Sequence, residues 1–165
     1  MSRAAYFRRR GVALALALAA AAVAALAPRG ADARPRQQRT GQQVFASTCA
    51  ACHQAQGEGT DVYPPLAGSE FVTGNEARLV RIVLHGLVGE VEVQGQPYSG
   101  AMPGWAPTLS DAEIAAVTTY IRSSWGNAAP AVTAATVAQL RAAHAGRTTP
   151  WTLEELAKII PVEKH

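Results

Sequence analysis

Five residues constrain this chain more than any others: Cys49-Ala50-Ala51-Cys52-His53. Two thiols three positions apart, followed at once by an imidazole, meet the requirements of covalent haem attachment. Each thiol adds to one vinyl group, and the histidine lies beneath the iron as proximal ligand. Competing readings of Cys-x-x-Cys are weaker. A zinc site needs further ligands, yet Cys49 and Cys52 are the chain's two cysteines. A thioredoxin-like pair expects a strand leading into it, and none is evident. A disulfide across so short a loop adds little stability.

The beginning of the chain reads as a leader. Arg3, Arg8, Arg9 and Arg10 precede an uncharged run from Gly11 to Ala27, and Pro28 and Ala31-Asp32-Ala33 follow. A basic start, an apolar middle and a small-x-small triplet form a secretory signal over residues 1–33. A retained membrane anchor is the alternative, although alanine is only weakly favourable in lipid. The expected location is the periplasm, with membrane association only if the leader is kept. Residues 34–39 read as a polar linker. Five of the 15 basic residues and one of the 12 acidic ones fall within residues 1–33, leaving ten and eleven. The formal charge of +3 therefore belongs to the leader. No basic stripe remains to recruit nucleic acid.

Helix signals follow in order. Thr40 is a plausible N-cap, and Gly41, Phe45 and Cys49 recur every four residues on one helical face. Gly41 inside a helix suggests a close helix–helix crossing. Residues 54–68 read as a loop containing Tyr63-Pro64-Pro65-Leu66. A proximal histidine needs its second ring nitrogen fixed, and the carbonyl of Pro64 is the candidate acceptor. A diproline that only stiffens the loop is the other reading. Asn75 caps a second helix over residues 76–85, with Leu79, Ile82 and Val83 on its apolar face. Arg78 and Arg81 are expected on the solvent side or near a haem propionate. His85 reads as a polar cap or surface residue.

Leu87 to Ser99 reads as a short hairpin or an irregular loop. It leads into Gly100-Ala101-Met102-Pro103-Gly104-Trp105, where Met102 offers the only thioether after the initiator. A Gly/Pro-rich loop brings a side chain close to a planar ligand, and a thioether opposite an imidazole raises the potential of haem iron. Tyr98 and Trp105 carry polar tips able to reach a propionate, though plain packing accounts for either equally well. Ser110-Asp111-Ala112-Glu113 is a capping box opening a third helix, with Ile114, Val117, Thr118 and Ile121 as its buried stripe and Gly126 as its stop. Residues 133–145 suggest an amphipathic helix. Thr152-Leu153-Glu154-Glu155 caps a short one ending near residue 160.

In this order the pieces resemble a class I, single-haem c-type cytochrome of bacterial respiratory type, over about residues 40–126. The resemblance implies an all-α cytochrome c fold of three to five short helices around one covalent haem c with its iron. Cys49 and Cys52 would tether the haem, and His53 and Met102 would be the axial ligands. Pro64 would hold His53 through its carbonyl, and the last helix would cross the first at Gly41, with Tyr120 at the crossing. It also implies a one-electron carrier rather than an enzyme, working between dehydrogenase, oxidase or reductase partners. A subunit fixed in a dehydrogenase or oxidase complex is the alternative. An open-site haem enzyme or gas sensor, and an assembly subunit acting through its tail, are the rivals. Residues 127–165 lie beyond the resemblance and read as a C-terminal helical extension.

Overall fold

A computed structural model of the protein describes residues 38–160. The leader expected over residues 1–33 and most of the linker at 34–39 lie outside them. Residues 38–160 belong to one compact unit.

The first helix begins where the Thr40 hydroxyl accepts from the Gln43 amide at 3.2 Å and the Gln43 side chain accepts from the Thr40 amide at 2.9 Å. This reciprocal cap satisfies two donors that a helix start leaves free. It opens α1 (Gly41–Val44), which passes into a π-helical segment (Phe45–Cys49) and then α2 (Ala50–His53). The π segment adds one residue to a turn, with the Ala50 amide donating to the Phe45 carbonyl. Helix α3 (Glu70–Thr73) is one turn long, and α4 (Glu76–His85) follows its Asn75 cap. Next come strands β1 (Gly86–Val93) and β2 (Gln96–Pro103), then α5 (Asp111–Arg122), α6 (Ala134–Ala143) and α7 (Leu153–Ile159).

The hairpin corrects the all-α expectation. β1 and β2 pair antiparallel from Gly86–Pro103 to Val93–Gln96. Gln94 (φ 53°) and Gly95 (φ 74°) both adopt left-handed conformations. This is the two-residue geometry whose twist matches that of the flanking strands. Gln94 tolerates it because its side chain donates to the Ala67 carbonyl at 2.6 Å, and its amide reaches the Glu70 carboxylate at 3.2 Å. Met102 accordingly sits on a strand opposite Leu87, not in an irregular loop. Helix α5 also ends earlier than expected, at Arg122, with Ser123 as its cap rather than Gly126.

The core joins α1 and the π segment to α4 and α5 through Val44, Phe45, Val80, Leu84, Ile114 and Val117. Gly41 lets α1 and α5 touch: a Cβ there would stand 2.7 Å from Tyr120 Cβ. Phe45, Tyr120 and Trp125 stack around this crossing with ring centroids 4.9–5.6 Å apart. A second apolar cluster of Ile82, Trp151, Leu156 and Ile160 lies against the hairpin. Three of its four residues come from the C-terminal extension.

Candidate cofactor site

Helix α2 ends at His53, and the chain reverses at once because Gln54 takes a left-handed conformation (φ 62°). The reversal sends the proline loop back beneath the histidine ring. His53 Nδ1 then lies 2.9 Å from the Pro64 carbonyl oxygen. A carbonyl only accepts, so Nδ1 carries the proton and Nε2 keeps the free lone pair. Burial pulls the His53 pKa below its ordinary value, outweighing the opposite pull of the Pro64 bond. The ring is therefore neutral near pH 7, the state in which imidazole binds metal.

The loop is pinned from both sides. Leu66 and Ala67 amides donate to the Gly57 carbonyl at 2.7 and 2.9 Å. Asn127 accepts from the Gly68 amide at 2.8 Å and donates to the Leu66 and Ile121 carbonyls at 3.0 and 2.7 Å. It thereby ties the loop to the end of α5. Arg122, 3% exposed, donates to the carbonyls of Val72, Gly74 and Pro130. Sequence reasoning missed both residues. A charged side chain at the end of an apolar stripe was the only available signal for Arg122, and Asn127 had none.

Between these elements and the hairpin lies a cleft with two adjoining compartments, part of it open to solvent. Cys49, His53, Pro64, Leu87, Met102 and Trp105 line both compartments. Cys52 and Tyr98 line the outer one. The seven side chains singled out from the sequence (Cys49, Cys52, His53, Pro64, Tyr98, Met102 and Trp105) thus meet at one cleft. Both cysteines are free thiols. Burial, followed by the nearby Cys52, pushes the Cys49 thiol up to about 11. The walls of the inner compartment are mostly aliphatic and aromatic, which suits a largely apolar macrocycle. Two free thiols, a neutral imidazole with one lone pair and a thioether, gathered at one apolar cleft, fit covalent haem with its iron.

Other expectations fall away from the cleft. Arg78 stacks over Phe71 at 4.7 Å and donates to the Glu70 carbonyl, whereas Arg81 donates to His144 Nε2 at 3.0 Å. Neither arginine lines the cleft or simply faces solvent, because α3 engages Arg78 and the extension engages Arg81. His85 is no surface cap either. Its Nε2 is buried, and its ring lies 6.2 Å from His144 and 6.3 Å from Trp151.

Comparison with known proteins is consistent with this chemistry. Residues 36–121 match the family model described as cytochrome c oxidase, cbb3-type, subunit III. The chain is 42% identical over 96 residues to cytochrome c-552 of Thermus thermophilus, covering 55% of this chain and 72% of that protein. It is 43% identical over 104 residues to the cytochrome c subunit of a quinone alcohol dehydrogenase from Komagataeibacter europaeus, covering 61% of this chain. The cytochrome c subunit of gluconate 2-dehydrogenase from Pantoea cypripedii is 38% identical over 130 residues, or 71% of this chain. The matches span only 22% and 28% of those two subunits.

Proposed function

Because the chain belongs to the c-type cytochromes, in the family of subunit III of cbb3-type cytochrome c oxidase, we propose that Cys49 and Cys52 tether its haem c and that His53 and Met102 ligate the iron. The protein is an electron carrier rather than an enzyme, acting alone or within a complex. Bound haem supplies a one-electron couple between ferric and ferrous iron. The observation that supports the ligand assignment is the 2.9 Å contact between His53 Nδ1 and the Pro64 carbonyl, which leaves the Nε2 lone pair free for a metal.

In this reading the Met102 thioether would be the second protein ligand to the iron and would keep exogenous ligands off, while the aliphatic wall excludes water. Tyr98 and Trp105, both lining the cleft, form part of the haem surroundings. Val62 (65% exposed) and Tyr63 (42%) stand at its rim, an apolar surface suited to brief contact with a redox partner. The partners are dehydrogenases, oxidases or reductases of the periplasm, reached through the leader at residues 1–33. Residues 40–126 form the haem domain and 127–165 its extension. Among the described residues no helix is long and apolar enough to cross a membrane.

A visible spectrum of the exported protein tests the assignment. A low-spin haem c spectrum with the weak far-red band of iron–thioether ligation, indifferent to carbon monoxide, is expected. Met102→Ala should abolish that band, lower the midpoint potential and admit carbon monoxide. Carbon monoxide binding by the unaltered protein would instead put an open-iron enzyme or sensor first.

A further inference from the structure

The C-terminal extension is part of the support of the cleft. Ahead of α7 the chain runs alongside β1. The Val88 amide donates to the Trp151 carbonyl at 2.8 Å, and the Trp151 amide donates to the Gly86 carbonyl at 3.0 Å. Together these form a parallel bridge between Trp151 and Leu87. Leu87 is held on its other side by Met102, its partner in the hairpin. Trp151, only 4% exposed, belongs to the second apolar cluster, and Met102 packs against that cluster as well as against the main core.

Trp151 is itself fixed in place. The Arg147 guanidinium stacks over its ring at 3.5 Å, and the His144 ring meets it edge-on at 5.0 Å. Arg147 donates to the Thr149 and Pro150 carbonyls and to the Glu155 carboxylate. Thr152 then caps α7. The hairpin is tied at its turn to Ala67 and Glu70, and at its Gly86–Val88 end to Trp151. A two-stranded ribbon is marginally stable in water. This one contains Gly89, Gly95 and Gly100, at each of which an added Cβ would meet nothing within 4 Å.

We infer that Trp151 is a positioning residue for the Met102 ligand: it clamps β1 from outside and thereby opposes release of the thioether from iron. The inference rests on the reading of Met102 as an axial ligand. Methionine release and clamp loosening are one equilibrium, so an added ligand that takes only the released state reports its population.

The test is imidazole binding to the ferric full-length holoprotein, alongside the far-red band, the midpoint potential and the thermal midpoint. A tenfold larger released fraction tightens apparent imidazole binding tenfold. Trp151→Ala is expected to tighten it by about tenfold, with a weaker far-red band and a lower potential. Trp151→Leu, which keeps an apolar group in the site, provides the same reading if the alanine variant does not fold, with an effect in the same direction. Val137→Ala, a truncation of a fully buried main-core residue on α6 that lies outside the Trp151 cluster, should lower the thermal midpoint and leave imidazole affinity unchanged. Two results overturn the clamp: Trp151 variants that lose thermal stability with unaltered imidazole affinity, or a Val137→Ala variant that opens the iron equally. Met102→Ala separates the two readings. If it binds imidazole no better than the unaltered protein, Met102 is not the ligand and the clamp falls with it. If it opens the iron and the Trp151 variants do not, only the clamp is wrong.

Discussion

Gly41 and Tyr120 meet with no side chain between them. A Cβ at Gly41 would stand 2.7 Å from Tyr120 Cβ and collide with the Ala116 carbonyl oxygen. Backbone supplies one of those obstacles, so rotamer changes cannot relieve the clash. Gly41→Ala should therefore destabilise the fold by about 1–3 kcal/mol, as overpacking does, despite the roughly 1 kcal/mol that alanine gains in helix propensity. A guanidinium melt reads this as a lower midpoint. An unchanged or higher midpoint would show that the two helices separate at little cost.

In the proposed haem site, Pro64 would act on the iron through its carbonyl, by way of His53. A hydrogen bond at Nδ1 makes the His53 imidazole a stronger donor and so favours ferric iron. Pro64→Ala retains the carbonyl but loosens the loop that aims it. The midpoint potential should rise by less than about 59 mV, the one-electron equivalent of a tenfold change. Redox titration decides it, and a potential that stays put or falls contradicts the role.

Arg122 gathers three carbonyls from separate segments. Arg122→Met keeps most of the aliphatic stem and deletes every donor, leaving the acceptors of Val72, Gly74 and Pro130 short of a partner. A loss of about 1–3 kcal/mol is expected from unsatisfied buried acceptors. Hydrogen exchange should locate the loosening at α3 and at the start of the extension. A loss spread evenly over the chain would contradict that placement.

Acid should weaken the fold in two stages. Burial, followed by charged neighbours, lowers the pKa of both His85 and His144 in the fold. The unfolded chain then binds more protons, so stability is complete above about 6.5 and declines as pH falls below it. Hydrogen bonds from Arg39 and then Ser110 hold the Glu113 carboxyl at about 2, from an ordinary 4.5. Its contribution is present above 4.5 and is lost as pH falls towards 2. His144→Gln keeps an acceptor for Arg81 without titrating and should flatten the first stage. Glu113→Gln should flatten the second. Thermal midpoints measured across this range check both, and a slope unaffected by either variant refutes its assignment.

Local chemistry alone determined much of this protein. The attachment motif, the caps at Thr40, Asn75, Ser110 and Thr152, and the apolar stripes of α4 and α5 each depend on residues three or four apart. Such spacings lie within one helical turn, and their energetics do not wait for the rest of the chain. The candidacy of Cys49, Cys52 and Met102 was legible for a related reason: after the initiator they are the chain's only sulfur-bearing side chains.

Tertiary structure decided the rest. The choice between hairpin and irregular loop after Leu87, and the inclusion of Met102 in the second strand, were decided where Gln94 found Ala67 and Glu70 to hold its left-handed turn. Arg122 and Asn127 went inside because carbonyls from distant segments converge on them. The bridge between Trp151 and Leu87 placed the extension against the strand opposite Met102. Each depends on burial and hydrogen bonding between residues far apart in the chain, which no local spacing records, and which forms only after the core has brought those segments together.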